Sequence, residues 1–500
     1  MNNIQSSYRQ IFKATSIFGG VQVFNIIISV IRSKIVATLL GPAGMGISGL
    51  LLATTGLVSS LTNFGLGISA TRDIAVANET NNPDKIARVI GVFRKLVWLT
   101  GLLGMAVTII LSPYLSEITF GNKDYTLGFI LLSCTLLSMQ LISGQDVLLQ
   151  GMRRLSELAK ANMYGALFGL LTSIPLYYLY GVKGIIPAII LSSAVTLAIT
   201  WYFARSITVK TSRMSLKRSI IEGKPMLRMG FMLSVSGLIT MGVSYIVRIY
   251  ISNTGGLVDV GLYNAGFAII GTYVGLVFTA MATDYYPRLT GVANDNKKVE
   301  EVVNHQAEIA LLILSPILCV FLVFVNWVVV LLYSNEFLAV SEMIHWAALG
   351  MYFKAASWSI GFIILAKGDS KLFLYSELLS NSYILILSII GYKYFGLDGL
   401  GISFMATYVL SLIQLYIIAR GKYEFRFSKS FYRVFTVQIV LGLVCFFIAK
   451  FVASPWSYCI GAIFVILSVW NSFIEMDKRL GIKSLLINLK RKNGDRGKQK

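Results

Sequence analysis

Three basic side chains lie where a chain this apolar should carry none. Arg32, Arg248 and Lys354 each interrupt a long hydrophobic stretch. Each also sits on a stripe of small and polar residues. Thr15, Gln22, Asn25, Ser29 and Arg32 recur at intervals that put them on one helical face. Gly237, Thr240, Ser244 and Arg248 repeat the pattern, and so do Gly350, Lys354, Ser357 and Gly361. An ionisable group in hydrocarbon is costly and as a rule faces a cavity or a partner. A wall of guanidinium and ammonium groups suits an anion, phosphate above all, which Arg meets as a fork and Lys as a point charge. The candidate binding residues are therefore Arg32, Arg248 and Lys354, with Asn25, Gln22 and Ser244 beside the arginines.

Each reading has a plainer rival. Arg32, Lys34 and Arg248 fall near predicted helix ends, where long side chains snorkel to the headgroups. Lys34 points roughly 200° away from Arg32 and is read as a snorkeller. Lys354 is too deep for that. Acidic groups are sparser. Asp146, Asp284 and Glu308, near inner helix ends, are candidates for ion coupling, and local salt bridges explain each equally well. Cys134, Cys319, Cys445 and Cys459 lack CxxC spacing and read as buried small hydrophobes, with no disulfide or metal implied. No HExxH, GxSxG or Walker pattern occurs, and GPAG at 41–44 lacks the strand-to-helix context of a phosphate loop. The chain reads as no enzyme, with no catalytic residues and no cofactor.

Positioning these side chains falls to a set of membrane helices. Hydrophobic residues make up 56% of the chain, charged residues 13%, and mean hydropathy is +0.72, which excludes a soluble enzyme. A hydrocarbon core about 30 Å thick needs roughly 20 apolar residues per helix. Fourteen segments meet that need, near 14–39, 44–68, 96–115, 126–150, 158–180, 184–204, 229–251, 262–284, 306–327, 343–366, 371–391, 398–418, 434–452 and 457–474. With both termini cytoplasmic, the outside loops carry only Lys123, Lys183, Lys393 and Lys450, as the positive-inside rule requires. The net charge of +21 then reflects inner loops and a tail (Lys490, Arg491, Lys492, Arg496, Lys498, Lys500) beside anionic lipid, with no nucleic acid involved. No separate signal peptide precedes the first helix, which is expected to be retained.

The chain also contains itself twice. Gly46, Gly181 and Gly184 match Gly261, Gly396 and Gly399 at one offset of 215, and Arg32 matches Arg248 within one residue. The expected fold is an all-α polytopic membrane protein of about fourteen transmembrane helices: two pseudo-symmetric six-helix bundles plus two C-terminal helices. The expected boundaries are 1–204 for the first bundle, 205–228 for a basic linker, and 229–418 for the second bundle. Residues 419–474 supply the two added helices and 475–500 a basic tail. Parallel repeats of this kind are associated with alternating-access transporters.

The segment LLGPAGMGISGLLLATTGLVSSLTNFGLGISATRDIA (39–75), the turn LLQGMRRLSELAKAN and its echo ILAKGDSKLFLYSELLSN carry a further likeness. With them the whole chain resembles bacterial O-antigen translocases of the Wzx type, in the multidrug/oligosaccharidyl-lipid/polysaccharide exporter superfamily. The resemblance implies a MATE-like pair of bundles in the bacterial inner membrane. It implies a flippase for undecaprenyl-pyrophosphate-linked oligosaccharide in lipopolysaccharide or related polysaccharide biosynthesis, with a glycan polymerase and chain-length regulator as partners beside membrane lipids. Arg32, Arg248 and Lys354 are the positions that would fill the role of basic cavity residues. Two alternatives share the layout, a multidrug or cation antiporter and a peptidoglycan lipid-precursor flippase. An O-antigen polymerase or ligase would need a sizeable outside loop that this chain lacks.

Overall fold

The computed structural model describes residues 24–207 and 215–479, apart from the side chains of Tyr273 and Thr283, together with the backbone of residues 2–23 and Leu480. The described elements are helices. They run α1 Asn2–Thr62, α2 Leu66–Glu79, α3 Pro83–Phe120, α4 Thr126–Gly151, α5 Leu155–Tyr180, α6 Ile185–Ala204 and α7 Leu216–Phe267. Then follow α8 Leu276–Gly291, α9 Asn296–Leu332, α10 Ser341–Ala366, α11 Ser370–Tyr423, α12 Lys429–Phe451 and α13 Trp456–Leu480. Ten helices among the described residues are long and apolar enough to cross a membrane. The protein is an all-helical, multi-span membrane protein.

Three of these helices are too long for one crossing. α1, α7 and α11 hold 61, 52 and 54 residues, about 80–90 Å at 1.5 Å per residue against a core of about 30 Å. Each breaks at one glycine in a left-handed conformation: Gly41 (φ 64°, ψ −171°), Gly256 (φ 85°, ψ −176°) and Gly396 (φ 57°, ψ −139°). A side chain at such φ is strained, so glycine supplies the break. The arms of α7 and α11 fold back on themselves. Arg248 bonds Asn264 across Gly256. In α11, Gln414 bonds Ser376 at 2.9 Å and Lys422 pairs with Asp369, which caps the helix. Helices expected as separate pairs are thus joined through a single residue.

Other boundaries moved for local reasons. The second expected helix, 44–68, is interrupted where Phe64 and Gly65 take positive φ (51° and 61°) and the Asn63 side chain accepts the Gly65 N–H at 2.7 Å. α3 begins at Pro83, well before the expected 96, because Asn82 accepts from the N–H groups of Asp84 and Lys85 and proline sits at the first turn. The eighth expected helix carries a π-helical turn over Ala268–Val274 ahead of α8. The linker is helical from Leu216 onward, and its residues 208–214 lie outside the described residues.

Left-handed positions recur at the offset seen in the sequence. Gly41 pairs with Gly256, Arg153 (φ 58°) with Gly368 (φ 73°), and Gly181 (φ 54°, ψ −132°) with Gly396, all 215 residues apart. Residues related by that offset also meet one another. A Cβ at Gly46 would overlap the carbonyl of Leu257, and one at Gly261 would overlap the carbonyl of Pro42, the residue 215 before Leu257. Gly49 likewise faces Asn264.

The chain divides into two compact units, Met1–Asn264 with Leu331–Glu336, and Ala265–Val330 with Phe337–Lys500. In the first, Leu66, Ile74, Ile90, Phe93, Leu96 and Leu148 form a core between α2, α3 and α4. In the second, Tyr285, Leu289, Ile360, Ile363 and Phe425 do so. Its membrane interior also holds a polar seam: Ser315 donates to Gln438 at 2.5 Å, and Gln438 donates to Asn471 and Ser472 at 3.2 and 3.0 Å. Ser468 joins at 3.2 Å, and Tyr352 lies 3.2 Å from Ser315. Of the four cysteines, all free, Cys319 and Cys445 are buried as expected. Cys134 and Cys459 are exposed, because an apolar side chain in a lipid solvent need not turn inward.

Candidate functional site

Arg248 is the most elaborately held of the three cations. Its Nε donates to Asn264 Oδ1 at 2.9 Å, and its Nη1 donates to the carbonyl of Ser244 at 3.1 Å and to the Ser244 hydroxyl. The ring of Tyr263 lies 5.6 Å below the guanidinium. Every one of these partners is neutral, so no opposite charge meets the guanidinium among the described residues while the fork is fixed in direction. The reverse turn at Gly256 makes this arrangement, since it carries Tyr263 and Asn264 back beside Arg248. Asn264 keeps a buried Nδ2 with no partner among the described residues. Ser244 and Arg248 are therefore brought together as the stripe predicted. Asn264 was missed, because spacing along one helix arm says nothing of the arm that returns.

Arg32 projects from α1 toward α5, exposed, with Nη2 3.6 Å from where a Cβ of Gly169 would lie. Ser192 and Thr196 of α6 border the same glycine. Asn25, on the Arg32 face, is half-buried, and its Oδ1 is a buried acceptor with no donor among the described residues. The side chain of Gln22 lies outside the described residues. Lys34 departs from its expected role as a snorkeller: its Nζ donates to the Tyr333 carbonyl at 2.5 Å, satisfying an oxygen just past the end of α9.

Lys354, in the second unit, is caged by rings. Its Nζ stands 5.1 Å from the ring centre of Tyr408, 5.6 Å from Phe278 and 5.8 Å from Phe404. α8 supplies the first ring position after the π-helical turn, and α11 supplies Phe404 and Tyr408 one helical turn apart. Gly350, on the Lys354 stripe, makes room: a Cβ there would come within 2.8 Å of the Phe404 ring. The only sequence signal for this cage was aromatic spacing, which ordinary packing produces just as readily.

The three acidic candidates occupy unrelated settings. Asp146 on α4 borders a cavity of about 580 Å³ with Gly67, Thr71, Ser143 and Gln150, and its Oδ1 is buried with no partner among the described residues. Asp284 is 82% exposed and lies 3.9 Å from Arg288. Glu308 is buried and fully engaged. Arg479 donates to it at 2.7 Å and Ser428 at 3.1 Å, while Glu475 takes the other side of Arg479 at 2.6 Å. Among the described residues no group of three or more His, Cys, Asp or Glu side chains is placed to hold a metal ion.

Residues 35–342 match the family described as "Polysaccharide biosynthesis protein". The chain is 22% identical over 393 residues to the lipid III flippase of Escherichia coli K12, an alignment spanning 75% of this chain and 90% of that one. Its fold is similar to that of the lipid II flippase MurJ in an inward closed conformation (TM-score 0.65, 13% identity, 94% of this chain and 99% of that one). It is equally similar to an inward-facing multidrug transporter of the MATE family (TM-score 0.65, 15% identity, 80% and 94%). These likenesses establish a MATE-like fold, as the resemblance in the sequence implied. With more than half of its length matched, the chain belongs to the polysaccharide biosynthesis protein family.

Proposed function

We propose that the protein flips an undecaprenyl-pyrophosphate-linked oligosaccharide, an O-antigen or related repeat unit, from the cytoplasmic to the periplasmic leaflet of the bacterial inner membrane by alternating access. The observation that carries this reading is the state of Lys354 and Arg248. Both are cations whose charge meets rings and neutral oxygens and, among the described residues, no carboxylate. Groups held that way keep their affinity for a phosphate oxygen. Arg32 adds a third charge on the face that also carries Asn25. We read the long kinked helices as paired crossings, giving fourteen in all with both termini cytoplasmic. The glycine breaks at a common offset of 215 support two repeated six-helix bundles followed by α12 and α13. Moving anionic charge outward across a negative-inside membrane is favoured by about 2.3 kcal/mol per charge per 100 mV. Asp146, with an unpartnered oxygen at a cavity, is the acidic residue we favour for ion coupling. Glu308 is better suited to fastening α13.

The reading is tested in cells by Lys354→Met and Arg248→Ala. Both variants are expected to abolish surface glycan while the protein stays at wild-type level in the membrane. Normal glycan in both overturns the assignment. A multidrug antiporter has the same fold, and the positive stripes argue against it because a cation exporter needs carboxylates there. Unchanged drug sensitivity on deletion of the gene is the expected outcome.

A further inference from the structure

We infer that Phe278, Phe404 and Tyr408 are positioning residues that keep the Lys354 ammonium charged and aimed while leaving its hydrogen-bond donors free for the phosphate of the cargo. This inference rests on the reading of Lys354 as a binding residue. An ammonium buried in a membrane is ordinarily stabilised by a carboxylate or by backbone oxygens, and either would spend the charge and donors that a substrate needs. Ring faces act differently. Their quadrupole attracts the cation, yet they offer no lone pair to its N–H groups. All three rings lie between 5.1 and 5.8 Å from Nζ, inside the range over which this attraction operates.

The rings are themselves held. Phe404 meets Tyr408 edge-on at 4.7 Å and Phe267 at 5.6 Å, and Phe278 leans on Trp358 at 5.2 Å. Gly350 admits the Phe404 ring, which accounts for a glycine one turn before the lysine. A cage built from three helices thus fixes the place of one charge, and an arriving phosphate completes the ammonium's coordination.

The test is transport of a polyprenyl-pyrophosphate oligosaccharide in proteoliposomes by the full-length protein. Phe404→Leu and Tyr408→Leu are expected to lower the rate about three- to thirtyfold, the range of a cation–π contact from exposed to desolvated sites. Phe404→Tyr and Tyr408→Phe should restore it. Successive fluorination of the Phe404 ring keeps its shape while draining the quadrupole, so the rate should fall stepwise with each fluorine. A flat series overturns the inference even if the leucine variants fail to fold. Lys354→Met is measured alongside: an inactive Lys354→Met with a flat series removes only the cage. A fully active Lys354→Met removes the binding role itself, and the cage with it.

Discussion

At the scale of single residues, two cations meet only neutral partners among the described residues, while other charges are cancelled where they fasten helices. Arg248 and Lys354 face neutral partners, whereas Glu308, Arg479 and Glu475 form a closed ionic cluster joining α9 to α13. Their variants should therefore fail in different ways. Glu308→Gln leaves a half-buried Arg479 beside a weakened partner, a loss that approaches the roughly 3–5 kcal/mol of breaking a fully buried pair. The expected result is a clear fall in the thermal midpoint of the purified protein. Asp146→Asn changes a carboxyl whose buried Oδ1 has no partner among the described residues, so the midpoint should hold while the pH dependence of transport changes. The stripes single out Arg32, Ser244, Arg248 and Lys354 as candidates because helical spacing is local. Asn264 and the three caging rings escaped notice because they arrive from other helix arms. Lys34 was misjudged for the same reason, its acceptor lying 299 residues away.

Elements are governed by a few glycines that let helices reverse or touch. Gly256 and Gly396 adopt conformations in which an added Cβ is strained at about 1–2 kcal/mol, so Gly396→Ala should lower the thermal midpoint while leaving the membrane topology intact. Gly46 and Gly261 are tighter. Each lies against the backbone of the other's arm, with no flexible side chain to yield. Gly261→Val is expected to destabilise by more than the about 1–3 kcal/mol of ordinary overpacking and to reduce the amount of protein recovered from the membrane. The α11 hairpin adds a pH effect outside the membrane. Lys422 hydrogen-bonds Asp369 and holds its carboxyl below the usual range. That contribution is complete above the ordinary aspartate value of about 4 and is lost as pH falls through the lowered one. Asp369→Asn should abolish this acid-side loss in unfolding experiments. Helix existence and the multi-span fold were legible because apolar length is written linearly, as is the 215 offset at which positive-φ positions recur. The continuity of α1, α7 and α11 through one glycine was not legible, since a turn and a kink share the same residues.

For the whole molecule, the decisive property is a membrane interior that is polar in chosen places. The seam around Gln438 satisfies its polar groups among themselves. Around Lys354 and Arg248, by contrast, the charge meets rings and neutral oxygens and no carboxylate among the described residues. A protein that only needed to span lipid would have no use for the second kind. On the proposed function, these cations are held at a cost in stability that a cargo phosphate would offset during passage. The most direct measurement is leaflet-to-leaflet transfer of a polyprenyl-pyrophosphate-linked oligosaccharide in proteoliposomes holding the purified protein or its Lys354→Met variant. Transfer by the wild-type protein and loss of at least about tenfold in the variant, the worth of one charge-assisted hydrogen bond, is the predicted result; equal transfer by both would contradict the account.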